Sequence, residues 1–433
     1  MATAPLMFDV IVIGGGPSGL MAAIAAQGAG ARTILLEKGH KLGRKLGISG
    51  GGRCNVTNAK PLSELMQNIP GNSRFLYSAL SRFGSPEIVA FFEDLGIALK
   101  EEDRGRVFPV TDKAASVVKA LVDKVFDLNV EVRQDAPVRS LQAEHGSITG
   151  AVLSTGEVLQ ASAVIVATGG CSVPATGSTG DGYPWAQSAG HAIVEPYPTA
   201  VPLTSSATFI ANQTLQGLSF KDVGVQIVNS VGKTLTTEYG DLLFSHFGLT
   251  GPVALRCSHY VSVALRNNPQ DALAALIDFM PEMPADMVRD ALQRARLTSG
   301  RKHVGTVLSG WFPDRLADLI AQRAGLSAAH DMAHLSKEAE ASIRQNIKAF
   351  AVPLTGTLPL EKATVTGGGV SIQEISPRTM GSSRCRGLYF AGEVMDVHAH
   401  TGGYNITVAF STGHLAGASA AQFALDKAHA TLR

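Results

Sequence analysis

Two glycine clusters near the start of this 433-residue chain have the residue types and spacing to hold a nucleotide. The first is Gly14-x-Gly16-x-x-Gly19, following the short β-branched run Val10–Ile13. Gly14 permits a tight turn, Gly16 lets the backbone approach a pyrophosphate, and Gly19 lets helix and strand pack closely. The helix that follows would turn its positive end toward the phosphates. Glu37, 23 residues after Gly14, ends a second apolar run, Thr33–Leu36. Its carboxylate can accept from ribose hydroxyls and disfavours a 2′-phosphate, so FAD or NAD suits the site better than NADP. The second cluster is "SGGGRCNVTN", Ser49–Asn58. Its glycines would let backbone pass close to a cofactor, with Arg53 as the candidate for charge near phosphate or flavin. It lacks the G-K-[ST] ending of an ATPase phosphate loop.

Three later motifs could complete such a site. "VIVATGG" (Val164–Gly170) and "GLYFAGEVMD" (Gly387–Asp396) each read as a strand ending beside a nucleotide, with Glu393 or Asp396 placed to bind a ribityl chain. "TGGYNITVAFSTG" (Thr401–Gly413) opens a helix whose N–H groups can stabilise negative charge on a reduced flavin. Plain strand and helix packing is the competing reading of each; their order along the chain favours the nucleotide. Cys54 invites a thiol–redox reading, but none of the four cysteines lies in a C-x-x-C pair, and a buried small residue explains it better. His246, in "LLFSHFGLTGP", is the candidate catalytic residue, a general acid or substrate ligand, against the competing role of a hydrogen-bonded structural histidine. No further ligand pattern joins His398 and His400, so no metal site is expected.

The elements that must position these residues follow from periodicity and composition. "FDVIVIGGGPSGLMAAIAAQGAGARTILLEKG" reads as strand, turn, helix, strand; it carries no charge from Val10 to Ala31, yet its six glycines and proline argue against a membrane span. A helix is expected around Ser85–Leu95, then several short strands ending in Ala163–Ala167. Residues 198–275 have β texture, 282–350 read as helices, and β texture returns after Val365 before a long small-residue helix. The expected fold is α/β, with a Rossmann domain built from both ends of the chain, 1–196 and 351–433. A β-rich domain, 197–281, and a small helical domain, 282–350, are inserted between them. Hydrophobic content is 45% and mean hydropathy +0.14, enough for large cores. With 37 basic against 36 acidic residues, no strong electrostatic term favours nucleic acid or an anionic membrane. Unpaired cysteines suit a reducing, cytoplasmic setting.

"GISGGGRCNVTN", "GSTGDGY", "FSHFGLTGP", "ATVTGGGV" and "GLYFAGEVMDVHAHTGGYN" resemble the signatures of a bacterial family of NAD(P)/FAD-dependent oxidoreductases, with aminoacetone-oxidase-like and bile-acid Δ4,6-reductase-like members. The resemblance runs from Asp9 to about Gly417. It implies a glutathione-reductase-type FAD domain with two inserted domains. Carried over by motif, Gly14, Gly16, Ser18, Gly19 and Glu37 would hold the ADP half; Lys45, Gly51, Gly52, Arg53 and Asn55 would lie along the pyrophosphate and flavin. Gly392, Glu393, Asp396, Gly403, Tyr404, Asn405 and Ile406 would surround the ribityl chain and isoalloxazine. The cofactor-binding set also takes in Pro17, Lys38, Ser49, Gly50, Val138, Ala167, Thr168, Gly169 and Gly402. His398-Ala399-His400 departs from the acidic or glycine-containing linker of relatives, which bears on the substrate side of the site.

The sequence thus reads as an FAD-dependent oxidoreductase acting on a small organic substrate, bound in the cleft between the FAD domain and the β module. No second glycine fingerprint follows a strand, so NAD(P)H either visits the flavin transiently or gives way to oxygen. The alternative is a non-catalytic FAD-binding regulatory or RNA-associated protein, against which the near-neutral charge argues.

Overall fold

Val10, Ile11 and Val12 have no exposed surface, so the first strand shows no polar alternation. The computed structural model describes residues 6–431. Strand β1 (Leu6–Ile13), helix α1 (Pro17–Gly28) and strand β2 (Thr33–Leu36) form the expected strand–turn–helix–strand unit. The uncharged run from Val10 is accounted for by these elements, and among the described residues no helix is long and apolar enough to cross a membrane.

The chain divides into two compact units, Met1–Tyr197 with Leu360–Arg433, and Pro198–Pro359. In the first, the sheet order is Glu131–Arg133, β2, β1, Val158–Val166, Ser147–Leu153, Val138–Glu144. Strand Val158–Val166 divides its pairing. Its beginning joins the antiparallel hairpin, Gly150 opposite Gln160; its end runs parallel to Leu388–Phe390, Leu388 opposite Val164. The C-terminal ends of β1, β2, Val158–Val166 and Leu388–Phe390 therefore meet along one edge of the sheet, although they come from residues hundreds of positions apart.

α1 and the C-terminal helix, Tyr404–Thr431, pack against each other and both against this sheet. Ala22, Ala23 and Ala26 are fully buried in α1. Opposite them, a Cβ on Gly413 would stand 2.3 Å from the Ser18 carbonyl oxygen, and one on Gly417 2.3 Å from that of Ala22. The two helices touch backbone to backbone.

The second unit is built on an antiparallel sheet ordered Phe350–Leu354, Leu273–Asp278, Ser219–Val228, Thr234–Phe244, Gly248–Thr250, Leu203–Thr204, Gly356–Thr357. The segments 197–281 and 282–350, expected as two domains, share one core here. The ring of Phe279 packs at 4.8 Å from Phe220 in the sheet, 5.9 Å from Phe312 among the helices and 5.6 Å from Phe350. The return to the first unit shifts from residue 351 to 360, because Phe350–Leu354 and Gly356–Thr357 complete the inserted sheet. Within the β-textured stretch lies the helix Pro252–Asn267. Its buried Val253, Ala254, Cys257, Ser258, Val261 and Ser262 recur at helical spacing, a signal that the Val- and Thr-rich composition masked.

The close approach of the two helices gives a stability test. Gly417→Val should cost about 1–3 kcal/mol through overpacking against the Ala22 carbonyl. The thermal midpoint of the FAD-saturated protein should fall clearly. Gly28→Ala, where a Cβ meets nothing within 4 Å, should leave it level or slightly raised.

Candidate functional site

The strand ends gather three of the motifs at one edge, where open α/β sheets bind their ligands. Gly14 N–H donates to the Leu36 carbonyl at 2.8 Å, Ala167 N–H to that of Ile13 at 2.8 Å, and Ala391 N–H to that of Val166 at 3.1 Å. Gly14 has φ +110°, and a Cβ there would lie 2.5 Å from the Ala167 oxygen. One on Gly19 would lie 1.8 Å from the Gly14 oxygen. A Cβ on Gly16 would meet nothing within 4 Å. Gly16 caps α1 without any side-chain hydrogen bond and Pro17 brings no N–H, so the helix opens onto free space with the N–H groups of Ser18 and Gly19 uncapped by a side chain. The shape and polarity of this opening suit a pyrophosphate.

Glu37 closes the edge. Its carboxylate accepts from Gly15 N–H and Gly39 N–H, both at 2.8 Å, and two oxygens retain lone pairs for ribose hydroxyls. The segment leading into Val138 runs beside it, with Ala136 N–H donating to the Glu37 carbonyl at 3.0 Å. Lys38 pairs with Asp181 at 2.7 Å.

The loop Ser49–Gly52 is a 3₁₀ turn with Gly50 at φ +56°, Gly51 at +68° and Gly52 at +85°. A Cβ on Gly51 or Gly52 would meet nothing within 4 Å, so open space again adjoins the glycines. Arg53 departs from the expectation of a charge directed at the cofactor. Its guanidinium pairs with Glu102 and, at 2.6 Å, with Asp112, and lies 4.1 Å over the Phe108 ring. Hydrogen bonds that Arg53 donates to Glu102 and then to Asp112 hold its pKa above the usual arginine value, and Arg53 in turn lowers that of Glu102. The side chain tethers the glycine loop to the hairpin of Leu99–Glu102 and Arg106–Pro109. Cys54 is fully buried, at φ +61°, and burial pushes its thiol up to about 12. It stays protonated and unreactive at physiological pH.

At the other end of the sequence the glycines recur. Gly402 has φ +128° and Gly403 +96°; a Cβ on Gly403 would lie 2.6 Å from the Thr57 oxygen and 2.9 Å from Asn55 Oδ1. Tyr404 is buried and Ile406 packs against the core. Asn405 turns its side chain onto its own loop, donating to the carbonyls of Ala399 (2.8 Å) and His400 (3.1 Å) and accepting from Ala399 N–H. Gly392 N–H donates to Thr412 Oγ1 at 3.0 Å, which fixes the Gly392–Val394 turn to the C-terminal helix. Glu393 does not project a free carboxylate. It pairs with Lys45 at 2.8 Å and accepts from Ser172 Oγ and from Thr366 N–H. Asp396 accepts from Asn72 Nδ2. Thr168 and Gly169 (φ +74°) follow Ala167 at the strand end.

Two buried acceptors, Asn55 Oδ1 and Thr168 Oγ1, have no hydrogen-bond partner among the described residues. With the empty ground at Gly16, Gly51 and Gly52, they fit a polar, extended group such as FAD: the pyrophosphate at α1, the ribose at Glu37, the remainder toward Asn55 and Gly403. Sequence reasoning missed Ser172 and Thr366, which knit Lys45 to Glu393, and Thr57 and Thr407, whose hydroxyls meet at 2.8 Å. No local pattern marks them; each matters through a partner far away in sequence. His246 lies in the second unit, exposed in the turn between Thr234–Phe244 and Gly248–Thr250. Its ring packs edge-on to Phe247 at 4.9 Å, and no hydrogen bond to it is made among the described residues.

Residues 8–419 match the sequence profile of the HI0933-like protein Rossmann domain. The chain is 32% identical over 409 residues, 94% of its length and 96% of the relative's, to a ribosomal RNA dihydrouridine synthase of Escherichia coli. It is 29% identical over 419 residues, 95% and 98% of the two lengths, to a 3-dehydro-bile acid delta(4,6)-reductase of Clostridium scindens. In three dimensions it resembles the open conformation of a flavocytochrome c3 fumarate reductase, with TM-score 0.52, 19% identity and coverage of 98% and 80%.

Gly51→Val, which fills the open ground of the loop at positive φ, should abolish FAD retention on gel filtration. Cys54→Ser should retain wild-type absorbance, and the wild-type thiol should resist iodoacetamide until the protein is unfolded. Loss of flavin from Cys54→Ser alone would reverse the roles assigned to the two residues.

Proposed function

From the premise that the chain belongs to the HI0933-like FAD-binding Rossmann family and is a flavin-dependent oxidoreductase, we propose that it reduces a carbon–carbon double bond conjugated to a carbonyl, and that its substrate is the uracil ring in ribosomal RNA. The observation that carries the flavin chemistry is the edge of converging strand ends, where an uncapped helix and glycine backbone leave room for FAD; the substrate rests on the 32% identical ribosomal RNA dihydrouridine synthase. Two near-full-length relatives support the reaction class. Dihydrouridine is uridine saturated at the bond conjugated to a ring carbonyl. A 3-oxo Δ4,6 bile acid presents the same electronic arrangement in a steroid. In both, a hydride adds to a carbon conjugated with the carbonyl and a proton to a carbon nearer it.

FAD, when bound, supplies two-electron hydride chemistry. The chain's part is placement and protonation. The N-terminus of α1 would orient the phosphates, Glu37 the ribose, and the Asn405 side chain holds the loop of His398 and His400 rigid. The absence of side chains at Gly51 and Gly52 leaves the cofactor's face unobstructed. His246, exposed and without a hydrogen-bond partner among the described residues, is the proposed proton donor or substrate ligand. NAD(P)H is the proposed electron source, visiting transiently because no second glycine fingerprint is present.

The decisive experiment is anaerobic. NADH or NADPH should bleach the flavin, and an unmodified ribosomal RNA transcript should restore its colour while gaining two hydrogens by mass. Restoration by a conjugated 3-oxo steroid alone would move the substrate to the bile-acid class, and restoration by neither would end the double-bond reading. His246→Gln should lower the rate of the RNA step by about 10²-fold or more while leaving bleaching by NAD(P)H unchanged.

A further inference from the structure

The near-zero net charge hides an uneven distribution. Between Arg289 and His303 the chain carries Arg289, Arg294, Arg296, Arg301 and Lys302 against a single acid, Asp290. This stretch forms the helix Ala285–Thr298 and the turn after it. Arg289 is neutralised by Asp286 at 3.2 Å and Asp290 at 3.1 Å. Arg294, Arg301 and Lys302 are exposed, and their side chains make no hydrogen bond or ion pair among the described residues. Arg296 donates to the Leu335 carbonyl, at 3.4 Å, and meets no carboxylate among the described residues. Basic residues near a helix C-terminus often serve to satisfy its carbonyls. Arg294, Arg301 and Lys302 donate to none, so the helix end does not account for them.

The turn is held firmly. Ala333 N–H donates to the Gly300 carbonyl and Met332 N–H to that of Lys302, both at 3.0 Å. Arg301 and Lys302 thereby face, with Leu297, Ser299 and His334, an open depression of about 660 Å³. The one acid lining it, Asp331, is turned to His303 at 3.2 Å and His334 at 4.0 Å. Leu297 is 83% exposed, an apolar surface set among cations. Cations on both sides of an uncovered apolar side chain suit a chain of phosphates carrying flat bases better than an isolated anion.

We infer that Arg294, Arg301 and Lys302 form a docking patch for the RNA backbone on the inserted unit. The inference rests on the reading of RNA as substrate. The patch contributes affinity rather than base recognition, since the groups it offers bind phosphate regardless of sequence.

The test uses full-length, FAD-loaded protein and an unmodified ribosomal RNA transcript, with filter binding over roughly 50–200 mM salt. The triple variant Arg294→Ala/Arg301→Ala/Lys302→Ala should bind about tenfold or more weakly at low salt. Its plot of log affinity against log salt should be flatter by about 2, at ~0.7 for each single-strand phosphate that the variant no longer neutralises. Thermal midpoint and flavin bleaching by NAD(P)H should stay at wild-type values. Arg294→Lys/Arg301→Lys should bind as wild type does, because charge rather than guanidinium shape is required. Wild-type affinity and slope in the triple variant, with wild type binding normally, would overturn the patch alone. Absence of RNA binding by wild type would overturn the patch together with the RNA reading.

Discussion

At Gly19 the α1 backbone lies so close to the Gly14 carbonyl that a Cβ would stand 1.8 Å from its oxygen. The other positions that govern this unit repeat the constraint: Gly14 against Ala167, Gly413 against Ser18, Gly417 against Ala22. Two helices and a sheet are pressed together at distances that exclude side chains. The consequence reaches the site directly. Only when α1 sits this deep does its N-terminus lie level with the ends of β1 and Val158–Val166. Its N–H groups then open onto the space beside Gly16, which suits that space to phosphate.

Around the candidate site, charge is arranged in closed pairs. Lys45 meets Glu393, Lys38 meets Asp181, and Arg53 meets Glu102 and Asp112. Such partly exposed pairs add little stability one by one. Their effect is positional, because each ties a glycine-bearing loop to a neighbouring element. The polarity left for a ligand comes instead from backbone N–H groups and from the buried oxygens of Asn55 and Thr168. A site made in this way binds through preorganised dipoles, which need no rearrangement when charge develops.

Much of the fold was legible because its signals are local. β1, α1 and β2 follow from an apolar run, a glycine turn and a small-residue helix within thirty-odd positions. Glu37 could be singled out because the βαβ unit fixes how far it stands from Gly14. The helix Pro252–Asn267 was not legible because its Val and Tyr residues favour strands in isolation; burial on one side of a sheet overrode that preference. The union of the two inserted segments was hidden as well, since it depends on Phe279 meeting Phe312 and Phe350.

By itself, the order of residues determined that a glycine turn and a helix would follow the first strand, and that both ends of the chain would contribute to one domain. Turn geometry and hydrophobic periodicity act over a few residues and survive in any context. What only the tertiary structure decided was which charges remain available. Arg53, Lys45 and Glu393 all look free in sequence, and each finds its partner 49 to 348 positions away. Arg294, Arg301 and Lys302 look no different, yet folding brings them no carboxylate among the described residues. Coulomb and hydrogen-bond energies depend on separation in space, and separation in sequence carries no record of it.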